Sequence, residues 1–530
     1  MNKVARLTIA SVLMGAAFLL ALTSGRGQQE QQAGLPQINQ SIKHDVSLPL
    51  RDIARPAQPR AIREAEPLRR LPVQLSPIQQ ADPVVQITLG PLVGTTPGLN
   101  FAGVGNGDYG FAPDAAPPDT NLAVGATQVV QWVNESFAVF NKSTGALVMG
   151  PVAGNSVWSG FGGGCQNNND GDPIVQYDKI NNRWILTQFS VSTTPYLQCV
   201  AVSTTSDATG TYNRYAFNYG SSEFPDYPKV GVWPDAYYIS FNMFTNTFTG
   251  AQVCAYNAAA MRSGAPATQV CFHLSSSYGG LLPSDLDGST LPPAGTPNLF
   301  LNFGTNSLNL WKFHVDFGTP GNSTLTGPTN IPVAAFTAAC SGGGACIPQP
   351  GTSQKLDSLA DRLMYRLAYR NFGTYESLVV NHSVSVGGRG KSQAVGVRWY
   401  ELRNPNGTPT VFQQGTFSPD STYRWMGSIA MDKLGDMALG YSASSGSLFP
   451  SIRYTGRLVT DAPGTMQSEN TIQAGAGSQL RNLNRWGDYS AMAMDPGDDC
   501  TFWYTTEYLK SNGTFNWSTR IASFKFSSCH

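Results

Sequence analysis

The sequence predicts an all-β fold, a seven-bladed β-propeller of four-stranded blades, preceded by a signal peptide and a disordered tether. Three observations predict it. The 530 residues include 55 glycines and only 13% charged residues, a turn-rich composition poor in helix formers. A stretch opening at Arg424, RWMGSIAMDKLGDMALGYSASS, returns 61 positions later at Arg485 as RWGDYSAMAMDPGDDCTFWYTTEY. Each copy has an Arg-Trp opening, a short apolar strand, an Asp/Gly turn and a second strand of aromatic and small residues. Asp and Gly supply the left-handed positions and local bonds of a tight reversal. Finally, seven openings can be counted, at Asp119, Asp172, Asp226, Asp285, Asp361, Arg424 and Arg485, spaced by 53, 54, 59, 76, 63 and 61 positions. Four-stranded blades around a central channel repeat in this way.

The elements follow in chain order. Residues 1–25 carry Lys3 and Arg6, an apolar run from Leu7 to Leu22, then small residues. This is the pattern of a secretory signal peptide, with a membrane anchor as the alternative. No Cys stands directly after the run, so a bacterial lipoprotein anchor is not expected, and no later stretch is apolar enough to span a bilayer, so the mature chain is expected to have no membrane span. Residues 26–80 are rich in Gln, Pro and Arg without a sustained period, and read as a disordered tether. Its arginines (Arg51, Arg55, Arg60, Arg63, Arg69, Arg70) could hold an anionic cell envelope.

Residues 81–530 are assigned to the propeller domain. Val84 to Leu89 (VVQITL) is a short apolar strand standing before the repeats. The seventh unit supplies only three strands before His530, and an exposed edge must be covered. Val84 to Leu89 is therefore expected to complete the seventh blade.

The even count of eight cysteines after the export signal predicts disulfides. Cys254 and Cys271 fall on the third and fourth strands of one blade. Cys500 begins a second strand beside the end of the third, where Cys529 lies. Cys340–Cys346 would close a Gly-rich loop, leaving Cys165–Cys199. Neither a CxxC pair nor a Cys/His cluster points to zinc. Thirty-four basic residues balance thirty-four acidic ones, which argues against a nucleic-acid partner.

Several stretches carry a resemblance: PPDTN to QWVN at Pro117 to Asn134, DGDPIVQYD at Asp170 to Asp178, STTSDATGTYNRYAF at Ser203 to Phe217, DYPKVGVWPDAYY at Asp226 to Tyr238, DRLMYRLAYRNF at Asp361 to Phe372 and RWGDYSAMAMDP at Arg485 to Pro496. In these the chain resembles secreted bacterial β-propeller proteins that are sialidase-like in architecture, mostly of unassigned function. The resemblance implies a secreted, periplasmic or cell-surface protein of a bacterium. Sialidases carry turns of the form S-x-D-x-G-x-T-W. Ser284 to Thr290 has similar letters with different spacing and no Trp.

The loop entering the innermost strand of each blade lies at one rim of the channel. The residues there are Asp119, Asp172, Asp226, Tyr227, Asp361, Arg362, Arg424, Trp425, Arg485, Trp486 and Asp488, with Asp170, Asp285 and Asp287 beside them. Aromatic faces stack on sugars, and Asp and Arg fix hydroxyl or carboxylate groups. Structural turn caps and ion pairs between blades would use the same residue types. The expected function is binding of an extracellular ligand, a glycan above all, at this rim by a monomer. A sialidase-like glycoside hydrolase with a carboxylate pair among Asp172, Asp226 and Asp361 is one alternative. A non-catalytic protein-interaction scaffold is the other. A Ser/His/Asp hydrolase is disfavoured, since the chain has five His and no G-x-S-x-G elbow; His382 reads as a core residue. No cofactor is expected. Calcium at Asp170 to Asp172 or at Asp495 to Asp499 is weighed but not assigned, because neither has EF-hand spacing.

Overall fold

A computed structural model describes residues 34–56, 61–64, 69–72, 81–387 and 394–530. The expected signal peptide, residues 1–25, lies outside them. The described chain is all-β with few and short helices. From Asn121 onward it forms seven successive antiparallel meanders, here called units. Their first strands are Asn121–Val124, Ile174–Asp178, Phe224–Val232, Leu282–Asp287, Met364–Asn371, Tyr423–Met431 and Ala491–Met494. Each first strand touches the first strand of the next unit, and the seventh touches the first. In the fourth and fifth units the contact is close enough for parallel pairing, Ser284 to Asp287 against Leu367 to Arg370.

The strands are buried on both faces because each unit is covered by its two neighbours. Large aromatics fill the space between sheets. Trp132 packs on Phe137, Tyr177 on Trp184, and Tyr454 stacks on Phe524. His382 is a core residue, as expected. It is sandwiched by Phe303, Phe336 and Tyr400, and burial keeps it neutral well below the usual imidazole range.

The seventh unit is closed from the N-terminal side, but by a different strand from the one expected. Thr95–Ala102 pairs antiparallel with Arg520 to Phe526. Val85–Gln86 instead adds a short parallel strand to Thr416 and Phe417 of the fifth unit. The closing strand, TTPGLNFA, hides its nature behind Pro97 and Gly98. A register shift between Ala522 and Phe524 accommodates both. A Cβ on Gly98 would sit 2.5 Å from Ser523 Oγ, so close approach requires glycine there.

Residues 26–80 also depart from expectation where they are described. Gln37–Gln40 adds a fifth strand to the third unit, against Thr268 to Cys271, and Lys43–Val46 one to the second, against Asn213 to Ala216. Leu50 is fully buried, and Pro56 bridges to Val152 of the first unit. Arg63–Glu64 then pairs with Ala115–Ala116. These segments are held by backbone bonds along outer edges, which need no apolar periodicity.

All eight cysteines are paired: Cys165–Cys199, Cys254–Cys271, Cys340–Cys346 and Cys500–Cys529. Among the described residues no helix is long and apolar enough to cross a membrane. Both facts are compatible with an extracellular protein.

Candidate functional site at the entry mouth

The first strands of six units open with the same backbone kink. Asp119, Asp172, Tyr227, Gly280, Met426 and Asp488 all have positive φ, between 45° and 64°. Asp and Gly accept this left-handed region more readily than other residues, which is why those letters recur in the openings. The equivalent kinks bring the openings to one end of the ring, the entry mouth.

There the residues form a buried cluster. The Asp119 and Asp172 carboxyls hydrogen-bond each other. Two carboxyls can do so only by sharing a proton. Burial, then the charges of Asp488 and Asp172, raises Asp119 well above the carboxylate range, so Asp119 carries that proton. Asp119 is 2% exposed and its Oδ1 has no hydrogen-bond partner among the described residues. Asp172 Oδ2 accepts the Tyr227 N–H at 3.1 Å. Asp226 is pushed up to about 8 by burial and then by Asp172.

Lys229 stands among these acids. Its Nζ donates to Pro228 O at 2.9 Å and lies 3.5 Å and 3.8 Å from the ring centres of Tyr227 and Tyr489. Burial lowers it to about 8. Tyr227 donates its hydroxyl to Asp488 O, and Tyr489 donates to Pro173 O, each at 2.9 Å. Arg362 is bound by Asp361 at 2.8 Å and covers the Tyr227 ring at 4.3 Å. Arg485 is bound by Asp488 at 2.5 Å. Glu507 accepts the Gly487 N–H at 2.9 Å, and burial raises its pKa well above the usual range.

Thus Asp119, Asp172, Asp226, Tyr227, Asp361, Arg362, Arg485 and Asp488 converge, and Arg424, Trp425 and Trp486 do not take the expected place. Arg424 is fully buried, its guanidinium 2.9 Å from both Asp420 and Glu469 within the sixth unit. Trp425 and Trp486 are also fully buried, their rings 5.9 Å apart, and neither offers a face to a ligand. The reason is a one-residue slip between the two Arg-Trp copies. Met426 and Asp488 carry the same positive-φ kink at the opening of their strands, so they hold equivalent places. Arg424 then corresponds to Trp486, not Arg485, and a slip of one turns a strand residue to the opposite face.

The other rim candidates serve elsewhere. Asp170 caps a turn, accepting Val191 N at 2.6 Å and Ser192 N at 2.8 Å. Asp285 and Asp287 lie further along their strand. They bind Arg366, and Asp287 also meets Lys179 at 3.4 Å. Asp495 is held by Lys142 and Asp499 by Arg370. These lie around the opposite mouth, where a pocket of about 850 Å³ opens. Lys229, Tyr489 and Glu507 join the cluster without being among the residues the sequence singles out. A charged Lys inside the apolar run PKVGVW was the available signal for the first.

Part of the N-terminal chain covers the cluster. Arg63 binds Glu135, Arg70 binds Asp357, the Leu71 N–H donates to Asp361 at 3.0 Å, and Arg69 O accepts from Arg362 at 3.1 Å. Two polar pockets flank it, about 480 Å³ beside Glu135 and about 420 Å³ beside Asp361.

No protein-family model and no curated protein matches the chain. Solved structures give loose likenesses. The polysaccharide lyase Uly1 aligns at 10% identity and TM-score 0.37, over 85% of this chain and 100% of that one. The exo-β-1,3-galactanase 1,3Gal43A from Clostridium thermocellum aligns at 10% identity and TM-score 0.30, over 67% and 81%. The endo-arabinase from Bacteroides thetaiotaomicron VPI-5482 aligns at 15% identity and TM-score 0.27, over 55% and 94%. Scores at this level carry no argument about function.

Proposed function

We propose that the chain is an exported seven-bladed β-propeller that binds a glycan at its entry mouth. The seven meanders with first strands in cyclic contact support the blade count. The observation that carries the binding site is the proton-sharing pair Asp119–Asp172 with Asp226 and Lys229 around it, all four with shifted protonation. Such groups cluster at working sites more than at structural ones. Neutral carboxyls donate and ionised ones accept, so the mouth presents both kinds of partner that sugar hydroxyls need. The pocket lined by Asp361 lies next to the cluster.

Binding is favoured over hydrolysis. A glycosidase holds its two carboxyls about 5 to 10 Å apart, with substrate between them. Asp119 and Asp172 are in direct hydrogen-bond contact, which leaves no room for a glycosidic oxygen. Asp226 and Asp361 remain the carboxyls that hydrolysis would use. The protein is proposed to act as a monomer outside the cytoplasm, with no nucleic-acid partner. A glycan array run beside a reducing-sugar release screen tests this. Retention without release is the expected result. Release of sugar would move the assignment to a hydrolase, and neither retention nor release would remove it.

A further inference from the structure

The pocket beside Asp361 is built for a particular kind of sugar. It encloses about 420 Å³ on the fourth unit, around the hairpin formed by Asn298–Gly304 and Ser307–His314. Asn302 lines it and is only 4% exposed. Its Nδ2 donates to Gly279 O at 3.2 Å, but its Oδ1 accepts from nothing among the described residues. A buried amide oxygen without a donor is unfavourable, and a ligand hydroxyl would relieve it. Asn330 donates to Asn309 at 3.0 Å, setting a second pair of amides in the same wall.

The pocket also depends on a missing side chain. A Cβ on Gly304 would come within 2.8 Å of Ser307 Oγ and 3.1 Å of Asn309 Nδ2. Tyr278 contributes an aromatic surface, its ring fixed edge-on to Trp311 with centres 4.9 Å apart. Among the described residues no Lys or Arg lines the space, and the one charged residue there, Asp361, is acidic. An anionic sugar would therefore lose its hydration and find no cation in return.

We propose that this pocket binds one neutral sugar residue of the glycan, with a hydroxyl donating to Asn302 Oδ1 and further hydroxyls meeting Asn309 and Asn330. The assignment rests on the reading that the entry mouth binds a glycan, and specifies where and of what charge. Recognition is by amides and an aromatic face, placed polar groups fixing the orientation of the ligand.

The test prints methyl glycosides and oligosaccharides of neutral hexoses and pentoses beside their uronic and sulfated counterparts. The full chain is applied, and hits are titrated by calorimetry. Neutral glycans are expected to bind, and Asn302→Leu to weaken them about tenfold or more. Gly304→Ala, which fills the space without removing a hydrogen bond, gives the same loss if Asn302→Leu fails to fold. Retention of uronic or sulfated glycans alone overturns the pocket assignment. So does equal binding by wild type and both variants. In either case the mouth reading stands. Retention of no glycan of any kind removes the mouth reading and the pocket together.

Discussion

Replacing Asp226 with Asn should stabilise the protein progressively as pH rises from 5 to 8. Burial, and then the Asp172 carboxyl, lifts the Asp226 pKa from its ordinary 3.8 to about 8. Between those two values the folded chain keeps a proton that the unfolded chain has released. Folding then requires proton uptake, and stability falls as pH rises through this window. Each pH unit inside it is worth about 1.4 kcal/mol, so the three units from 5 to 8 set a ceiling of about 4 kcal/mol. Asp172, itself raised by burial, titrates with Asp226 and takes up part of the change. About half the ceiling, roughly 2 kcal/mol, is the expected effect. Asparagine has nearly the same shape and cannot ionise. The assay is urea unfolding of wild type and Asp226→Asn at pH 5, 6, 7 and 8. The free-energy difference should grow by about 2 kcal/mol in favour of the variant across the series. A flat difference, or one that turns against the variant at high pH, would show that Asp226 is ionised and paired, and would refute burial as its governing environment.

Three further outcomes are expected. Arg424→Ala removes a buried guanidinium from Asp420 and Glu469, and should lower unfolding stability by about 3 kcal/mol while glycan retention is kept; an unchanged denaturation midpoint would contradict the buried network. Replacing Thr95–Ala102 with a flexible linker of equal length uncovers the edge strand Trp517–Phe526, and light scattering should report aggregation, whereas the same change at Val84 to Leu89 leaves the protein soluble. Peptide mass mapping should find no free thiol and Cys254 joined to Cys271; Cys254 joined to any other cysteine would overturn the pairing of the third unit.

Much of the ring could be read from the letters because each first strand is apolar and opens with a kink that Asp or Gly accepts. The same kink explains why Asp119, Asp172 and Asp488 were found. Tyr227 has positive φ as well, and was found only through its neighbour Asp226. What escaped has physical causes. The closing strand carries Pro97 and Gly98, which read as breakers until the bulge opposite them is seen. The outer strands Gln37–Gln40 and Lys43–Val46 are held through the backbone, so their side chains carry no alternation to detect. Arg424 and Arg485 look alike as text and point to different places, because letters do not reveal a register slip of one residue. Lys229 sits in a run that reads as a plain strand, and its charge made sense only when Asp172 and Asp119 were brought beside it.

The central claim, that the mouth cluster and not the sixth-unit network holds the ligand, is tested most directly by comparing two variants on one glycan array. Asp172→Asn changes the proton-sharing pair with almost no change of shape, and Arg424→Ala changes the network. Asp172→Asn is predicted to lose the glycans that wild type retains, with its unfolding midpoint nearly unchanged. Arg424→Ala is predicted to keep them with a lowered midpoint. Full retention by Asp172→Asn, with loss in Arg424→Ala, would contradict the account.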